Sequence, residues 1–207
     1  DYQKGSHGVF AQSVAGDGVG GNVTISVNGS IIAEGQYSCG IVAQSQGLQG
    51  KGAVTINIAE GASVSGGTGE RVGAIVIMDG NGNTVNNYGT IRSLNGPDGI
   101  AVLGNGVTAT VNNFGTIIGN VQMNIVADTV LGDTETAQVH LAAAPQQQQF
   151  NNNENCRFDS GQTVDLNGGL LTNAGTLAPG GDSKLQQTNL TGSYTQTATG
   201  LFDLQVD

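Results

Sequence analysis

The chain contains no tryptophan, and aromatic residues of all kinds make up 4% of its 207 residues. A rounded globular core needs large side chains at its centre, so this shortage argues against one. Charged residues are also scarce, 11% against a usual fraction of roughly a quarter. Bases are the scarcest: 6 Lys and Arg face 16 Asp and Glu, a formal charge of −10, and none lies between Arg92 and Arg157. Nucleic-acid backbones and anionic membrane surfaces are held by clustered Lys and Arg, so neither is expected as a partner. No apolar run approaches the roughly 18 residues of a membrane-crossing helix, and the best candidate, residues 72–78, has the length of a strand. Three prolines and no three-residue glycine period exclude collagen. Two cysteines, Cys39 and Cys156, fit neither a disulfide-rich scaffold nor a zinc site. Two readings of them stay open: unpaired thiols, or a bridge tying a loop to the body in an oxidising compartment. No leader segment is visible, and the polar start Asp1-Tyr-Gln-Lys4 reads as that of an excised or processed fragment.

What is present is glycine, 35 residues of it, together with β-branched and amide side chains and a hydrophobic fraction of 37%. That fraction argues against disorder. The chain also repeats itself. Gly8-Val-Phe-Ala-Gln12, Gly40-Ile-Val-Ala-Gln44, Gly73-Ala-Ile-Val76 and Gly99-Ile-Ala-Val102 open successive units. A second element follows as Val23-Thr-Ile-Ser-Val27, Val54-Thr-Ile-Asn-Ile58, Asn83-Thr-Val-Asn-Asn87 and Ala109-Thr-Val-Asn-Asn113. A third closes each unit at Gly29-Ser-Ile-Ile32, Gly61-Ala-Ser-Val64, Gly89-Thr-Ile91 and Gly115-Thr-Ile117.

Each unit thus holds three short runs with β-strand alternation, separated by Gly, Asn or Asp, and glycine is too frequent for helices. Such runs cannot bury themselves alone, but units can stack as coils whose strands pair in parallel, about 4.8 Å per coil. The predicted fold is all-β, a right-handed parallel β-helix of about seven coils and roughly 35 Å length. Ile25, Ile56, Val85 and Val111 are expected to form one inward ladder, with Thr, Asn and Gln outward in solvent and Asn and Gly at left-handed corners. Residues 1–141 and 158–207 read as coils of one continuous domain. Strands are expected at 121–126 and 137–141. Residues 142–157, with Gln146, Gln147, Gln148, Gln149, Asn151 and Asn152, read as a projecting or mobile low-complexity loop that forms no core strand.

Beyond residue 158 the wording becomes more specific. Asn173-Ala-Gly-Thr-Leu-Ala-Pro-Gly180 is followed by Gly192-Ser-Tyr-Thr-Gln-Thr-Ala-Thr-Gly-Leu201. These phrases, with the Asn-Asn-x-Gly-Thr-Ile units between 84 and 120, resemble the C-terminal part of passenger domains of Gram-negative autotransporters (type V secretion). Phe202 stands where that pattern has Leu. The resemblance implies a larger precursor with a signal peptide and a C-terminal membrane β-barrel, display at the bacterial surface, and a role in adhesion or virulence. Cysteine is often sparse in such passengers, so Cys39 and Cys156 depart from the pattern.

Signals for chemistry are weak. Asp159-Ser-Gly161 touches the serine-protease word, yet His7 and His140 have no nucleophile-and-base setting, and Ser160 reads as a turn residue. Asp79-Gly-Asn-Gly-Asn83 starts like a calcium loop without its later ligands, and Gly66-Gly-Thr-Gly-Glu70 lacks the Asp of the calcium nonapeptide. No metal or cofactor is expected. Tyr88 and Phe114 occupy equivalent repeat positions and read as a stacked pair filling a corner.

Three functions remain. The first is an adhesin whose turns and loop, including Asp79 and Asp98 and the Gln/Asn residues named above, contact a host surface protein or glycan, other bacterial cells or a second copy of the chain. The second is a polysaccharide-degrading β-helix using Glu60, Asp79 or Asp98 with Arg71 or Arg92 on one face. The third is a stalk for a separate N-terminal domain.

Overall fold

A computed structural model of the chain describes residues 5–105, 107–125 and 147–206. Among them there is no α-helix, and all strands join one parallel system wound as a right-handed β-helix. The first coil holds β1 (Val9–Val14), β2 (Val23–Val27) and β3 (Ser30–Ala33), and the second holds β4 (Ile41–Gln46), β5 (Val54–Ile58) and β6 (Ser63–Gly66). The third holds β7 (Gly73–Ile77), β8 (Asn83–Asn87) and β9 (Thr90–Ser93). Next come β10 (Ile100–Asn105), β11 (Ala109–Asn113) and β12 (Thr116–Ile125), which runs on into the fifth coil. That coil continues with β13 (Gln149–Asn152) and the start of β14 (Arg157–Asn173), the sixth closes with β15 (Thr176–Pro179), and the last uses β16 (Asn189–Gln196) and β17 (Leu201–Phe202).

Register explains why the repeats are legible. Val9, Ile41, Ile75, Val102, Val121, Val164 and Leu190 stack in one column, so there are seven coils. The expected ladder Ile25, Ile56, Val85, Val111 is present and runs on through Phe150 and Leu171 to Tyr194. The third column is Ile31, Val64, Ile91, Ile117, Phe158, Leu177 and Phe202. Each strand alternates, so every second side chain enters the interior, where Ile56, Val85, Val111 and Ile117 are fully buried.

Two expectations need correction, and one open choice is closed. Residues 147–157 do not project: β13 pairs with β11 on one side and β14 on the other. Phe150 is fully buried, with its ring centroid 4.6 Å from that of Phe158 in the same coil. The reason lies in the words: Gln149-Phe-Asn-Asn152 is the same inward–outward pattern as Thr110-Val-Asn-Asn113, and it takes the same register. Residues 142–146, the strand expected at 137–141, His140 and Val126 lie outside the described residues, whereas 121–125 are strand as expected.

Second, of the two readings of the cysteines the unpaired one holds and the bridge does not. Both are free and buried, in different coils. Cys39 sits with Val42, Val72, Val76 and Leu103, and burial pushes its thiol pKa up. Cys156 Sγ bonds the Glu154 carbonyl at 3.3 Å, and burial raises its pKa as well. The bridge is therefore not formed, and the resting thiolate fraction is low.

Third, the repeated asparagines are not all solvated or left-handed. Asn87, Asn113, Asn152 and Asn173 are buried. Among the described non-glycine residues, positive φ falls on Arg71, Asn155 and Asn167, so left-handed Asn does occur, at two positions outside these buried ones. The glycine of the Asn-x-Gly-Thr word is required by close approach: a Cβ on Gly115 would lie 2.2 Å from the Gly89 carbonyl oxygen of the coil before. The fifth coil has no such glycine. It turns this corner through Asn155 at φ 61°.

Candidate functional site

The second strand of each coil forms a sheet whose outward positions carry no charge. Thr24, Thr55, Thr84 and Thr110 align in one outward column, which Gln149 continues. The next outward column is Ser26, Asn57, Asn86, Asn112 and Asn151. In a chain of charge −10, this face is set apart by its neutrality.

The amides of that column are ordered before any ligand arrives. Asn86 Nδ2 donates to Asn57 Oδ1, Asn112 to Asn86 and Asn151 to Asn112, each at 2.9 Å. An asparagine side chain has two N–H donors and a carbonyl with two lone pairs. Inside the ladder Asn86 and Asn112 each use one donor and one lone pair on a neighbour, and a donor and a lone pair are left over for a partner. Fixing the amides in advance lowers the ordering cost of binding.

Two features flank the ladder on the same strands. Towards the strand starts lies a depression of about 320 Å³ lined by Thr84, Thr110, Gln147 and Gln149 with Gly82 and Thr108. On the other side, Tyr88 and Phe114 stack with centroids 4.7 Å apart and planes 7° apart. They are 50% and 41% exposed. The stacking expected from their repeat positions is present at the corner between the second and third strands, where the pair lies half-exposed to solvent.

The residues nominated from sequence divide between the two sides of the wall. Gln149 and Asn151 face outward on this sheet, and Gln147 lines its depression. Gln148 and Asn152 are buried. Gln148 is a structural plug: its oxygen accepts from the Ala109 N–H at 2.7 Å and its nitrogen donates to the carbonyls of Val107 and Met123. Gln146 lies outside the described residues. Sequence reasoning passed over Asn57, Asn86 and Asn112. Their signal was the equivalent position in three successive repeats, which makes a column once coils are stacked.

The acids take other places. Asp79 accepts from the Gly80 N–H at 2.9 Å and pairs with Lys51 at 2.6 Å in a turn. Asp98 ends a 3₁₀ turn, Gly96–Asp98, and pairs with Lys184. With Glu70, Arg71 and Asn120, Asp98 lines a second depression of about 400 Å³; Glu60, Asp79 and Arg92 are not in its lining. Arg92 Nε bonds Ser65 Oγ at 3.0 Å. Ser160 Oγ is 2.8 Å from Thr188 Oγ1, which itself donates to the Gly161 carbonyl. Elsewhere, Arg157 joins carboxylates of three coils, Asp159, Asp182 and Asp203. Burial raises the Asp159 pKa against the pull of that guanidinium.

Among the described residues no three His, Cys, Asp or Glu side chains converge as a metal site, and no helix is long and apolar enough to cross a membrane. Comparison of the chain with known protein families, characterised proteins and solved structures finds no match in any of the three.

Proposed function

We propose that this chain is part of an autotransporter passenger displayed at the bacterial surface, and that it acts as an adhesin. The passenger wording after residue 158 supports the placement: a rod held outside the outer membrane by a C-terminal barrel. The observation that carries the binding role is the ordered, uncharged amide ladder Asn57–Asn86–Asn112–Asn151 on an outward face. Many weak polar contacts repeated along a stiff rod sum to useful avidity when the partner is repetitive or multivalent. Host surface proteins, glycans, other cells and a second copy of the rod are all partners of that kind.

The test is incubation of labelled chain with matrix proteins, neutral and charged glycans, and bacteria, scoring both capture and the chain length of the target. Capture of intact target is the expected result. Failure to capture anything, itself included, would leave the stalk reading.

A second reading rests on the depression that gathers Glu70, Arg71 and Asp98. Two acids beside a guanidinium are what a polysaccharide-degrading β-helix needs on one face. Shortened polysaccharide in the same assay, lost in Asp98→Asn, would move the assignment to an enzyme.

A further inference from the structure

We propose that the outward face of the third to fifth coils is a binding site for a neutral glycan chain lying along the rod axis. This rests on the adhesion reading and names its ligand class.

Three neutral elements lie side by side there. The depression is lined by Thr84 and Thr110, which carry hydroxyls, and by Gln147 and Gln149, which carry amides. The ladder presents Asn86, Asn112 and Asn151, already aligned by their mutual hydrogen bonds. Beyond the ladder stands the half-exposed pair Tyr88 and Phe114. A sugar ring carries hydroxyls on its rim and C–H bonds on its faces. Amides that can both donate and accept match the hydroxyls, whose donors and acceptors alternate. Tyr88 and Phe114 each cover one face of the other, and the faces left open, negative in charge, match the weakly positive C–H bonds.

Charge and spacing narrow the class further. A protein of net charge −10 with no base on this face repels uronic-acid or sulfated polymers, and has nothing there to pair with them. The ladder repeats once per coil, about 4.8 Å. An extended β-linked hexose chain advances by nearly that distance per sugar, so successive residues meet equivalent amides over several coils. A folded protein surface of irregular spacing would lose this register after one or two.

Titration calorimetry on the full chain tests the idea with cellohexaose, xylohexaose and chitohexaose, and with a hyaluronan oligosaccharide as charged control. At least one neutral hexasaccharide is expected to bind, with hyaluronan failing. Tyr88→Ala with Phe114→Ala should weaken that binding about tenfold or more. Thr110→Val, a change of nearly constant volume at a half-buried outward position, should weaken it about threefold and provides the location test should the aromatic variant fail to fold. Both variants are to be compared at an unchanged thermal midpoint. Equal affinity in folded variants would overturn the site. Binding of hyaluronan alone would overturn the ligand class. If no glycan binds while a matrix protein or a second copy is captured, the glycan inference falls and the adhesion reading stands. If nothing is captured, both fall.

Discussion

Two asparagine ladders run along the same wall, built from the same Asn-Asn dipeptides, and they do opposite work. Asn87, Asn113, Asn152 and Asn173 point inward. Each donates one N–H to the next amide oxygen, the last of these being Gln196, at 2.7–3.0 Å. The other N–H goes to a carbonyl of the following coil, that of Thr116, Arg157, Thr176 or Leu201. The amide oxygens of Asn87 and Asn113 also accept from the N–H of Gly89 and Gly115. No N–H donor is left over, as burial demands, and Asn113 fills both lone pairs of its oxygen as well. One residue earlier, the outer ladder makes a single bond per neighbour in the reverse direction and keeps capacity for solvent or a partner. Identical side chains at identical spacing therefore become structure or site according to which face of the pleat they occupy.

Removing one rung from each ladder should separate the two roles. Asn113→Ala strands Asn152 Oδ1, the Arg157 carbonyl and the Gly115 N–H in or near the interior. It should cost about 3 kcal/mol of stability in denaturant unfolding. A cost below that of an ordinary surface change would show that the inner ladder is not structural. Extending the inner ladder is a milder perturbation. Ile58 aligns with Asn87, so Ile58→Asn places an amide in line with the ladder and should cost about 1–2 kcal/mol. Val85→Asn, mid-wall and off the ladder, should cost about 4 kcal/mol in the same assay. Equal losses would mean that ladder position confers nothing. Asn112→Ala, on the outer ladder, should change stability by no more than about 0.5 kcal/mol while weakening capture.

The smallest expected effect is a pH dependence that neither ladder shares, because amides do not titrate. Burial raises Asp159 above its ordinary carboxyl value. The folded state therefore holds that proton more tightly than the unfolded state, and the resulting stabilisation is present at low pH. It is lost as pH rises through the raised value. Unfolding of the wild type and Asp159→Asn, compared in steps from about pH 3 to pH 6, should show the wild type's relative stability declining with pH. A relative stability that grew with pH would mean that Arg157 outweighs burial.

Much of this was legible. Stacked coils, the Ile25–Ile56–Val85–Val111 column and the strand nature of each repeat follow from alternation and period. The Gln/Asn-rich segment was misread because its composition hid its pattern: Gln149-Phe-Asn-Asn152 differs from Thr110-Val-Asn-Asn113 in two letters and keeps the alternation. The same alternation places the second Asn of each pair inside. Polarity argued the other way, and only a neighbouring coil that satisfies every donor makes burial affordable. For the acids, turn positions were readable, but their partners were not. Asp98 meets Lys184 from across the stack, 86 residues away in sequence.

By itself the sequence determined the architecture, because period and alternation are local properties and a strand of such residues has one way to bury its apolar side. Tertiary structure alone decided which amides became ladders, that Cys39 and Cys156 stay apart, and that Tyr88 and Phe114 stand open beside the outer ladder. These depend on which residues stack coil upon coil at about 4.8 Å, and that register is set by the whole wall.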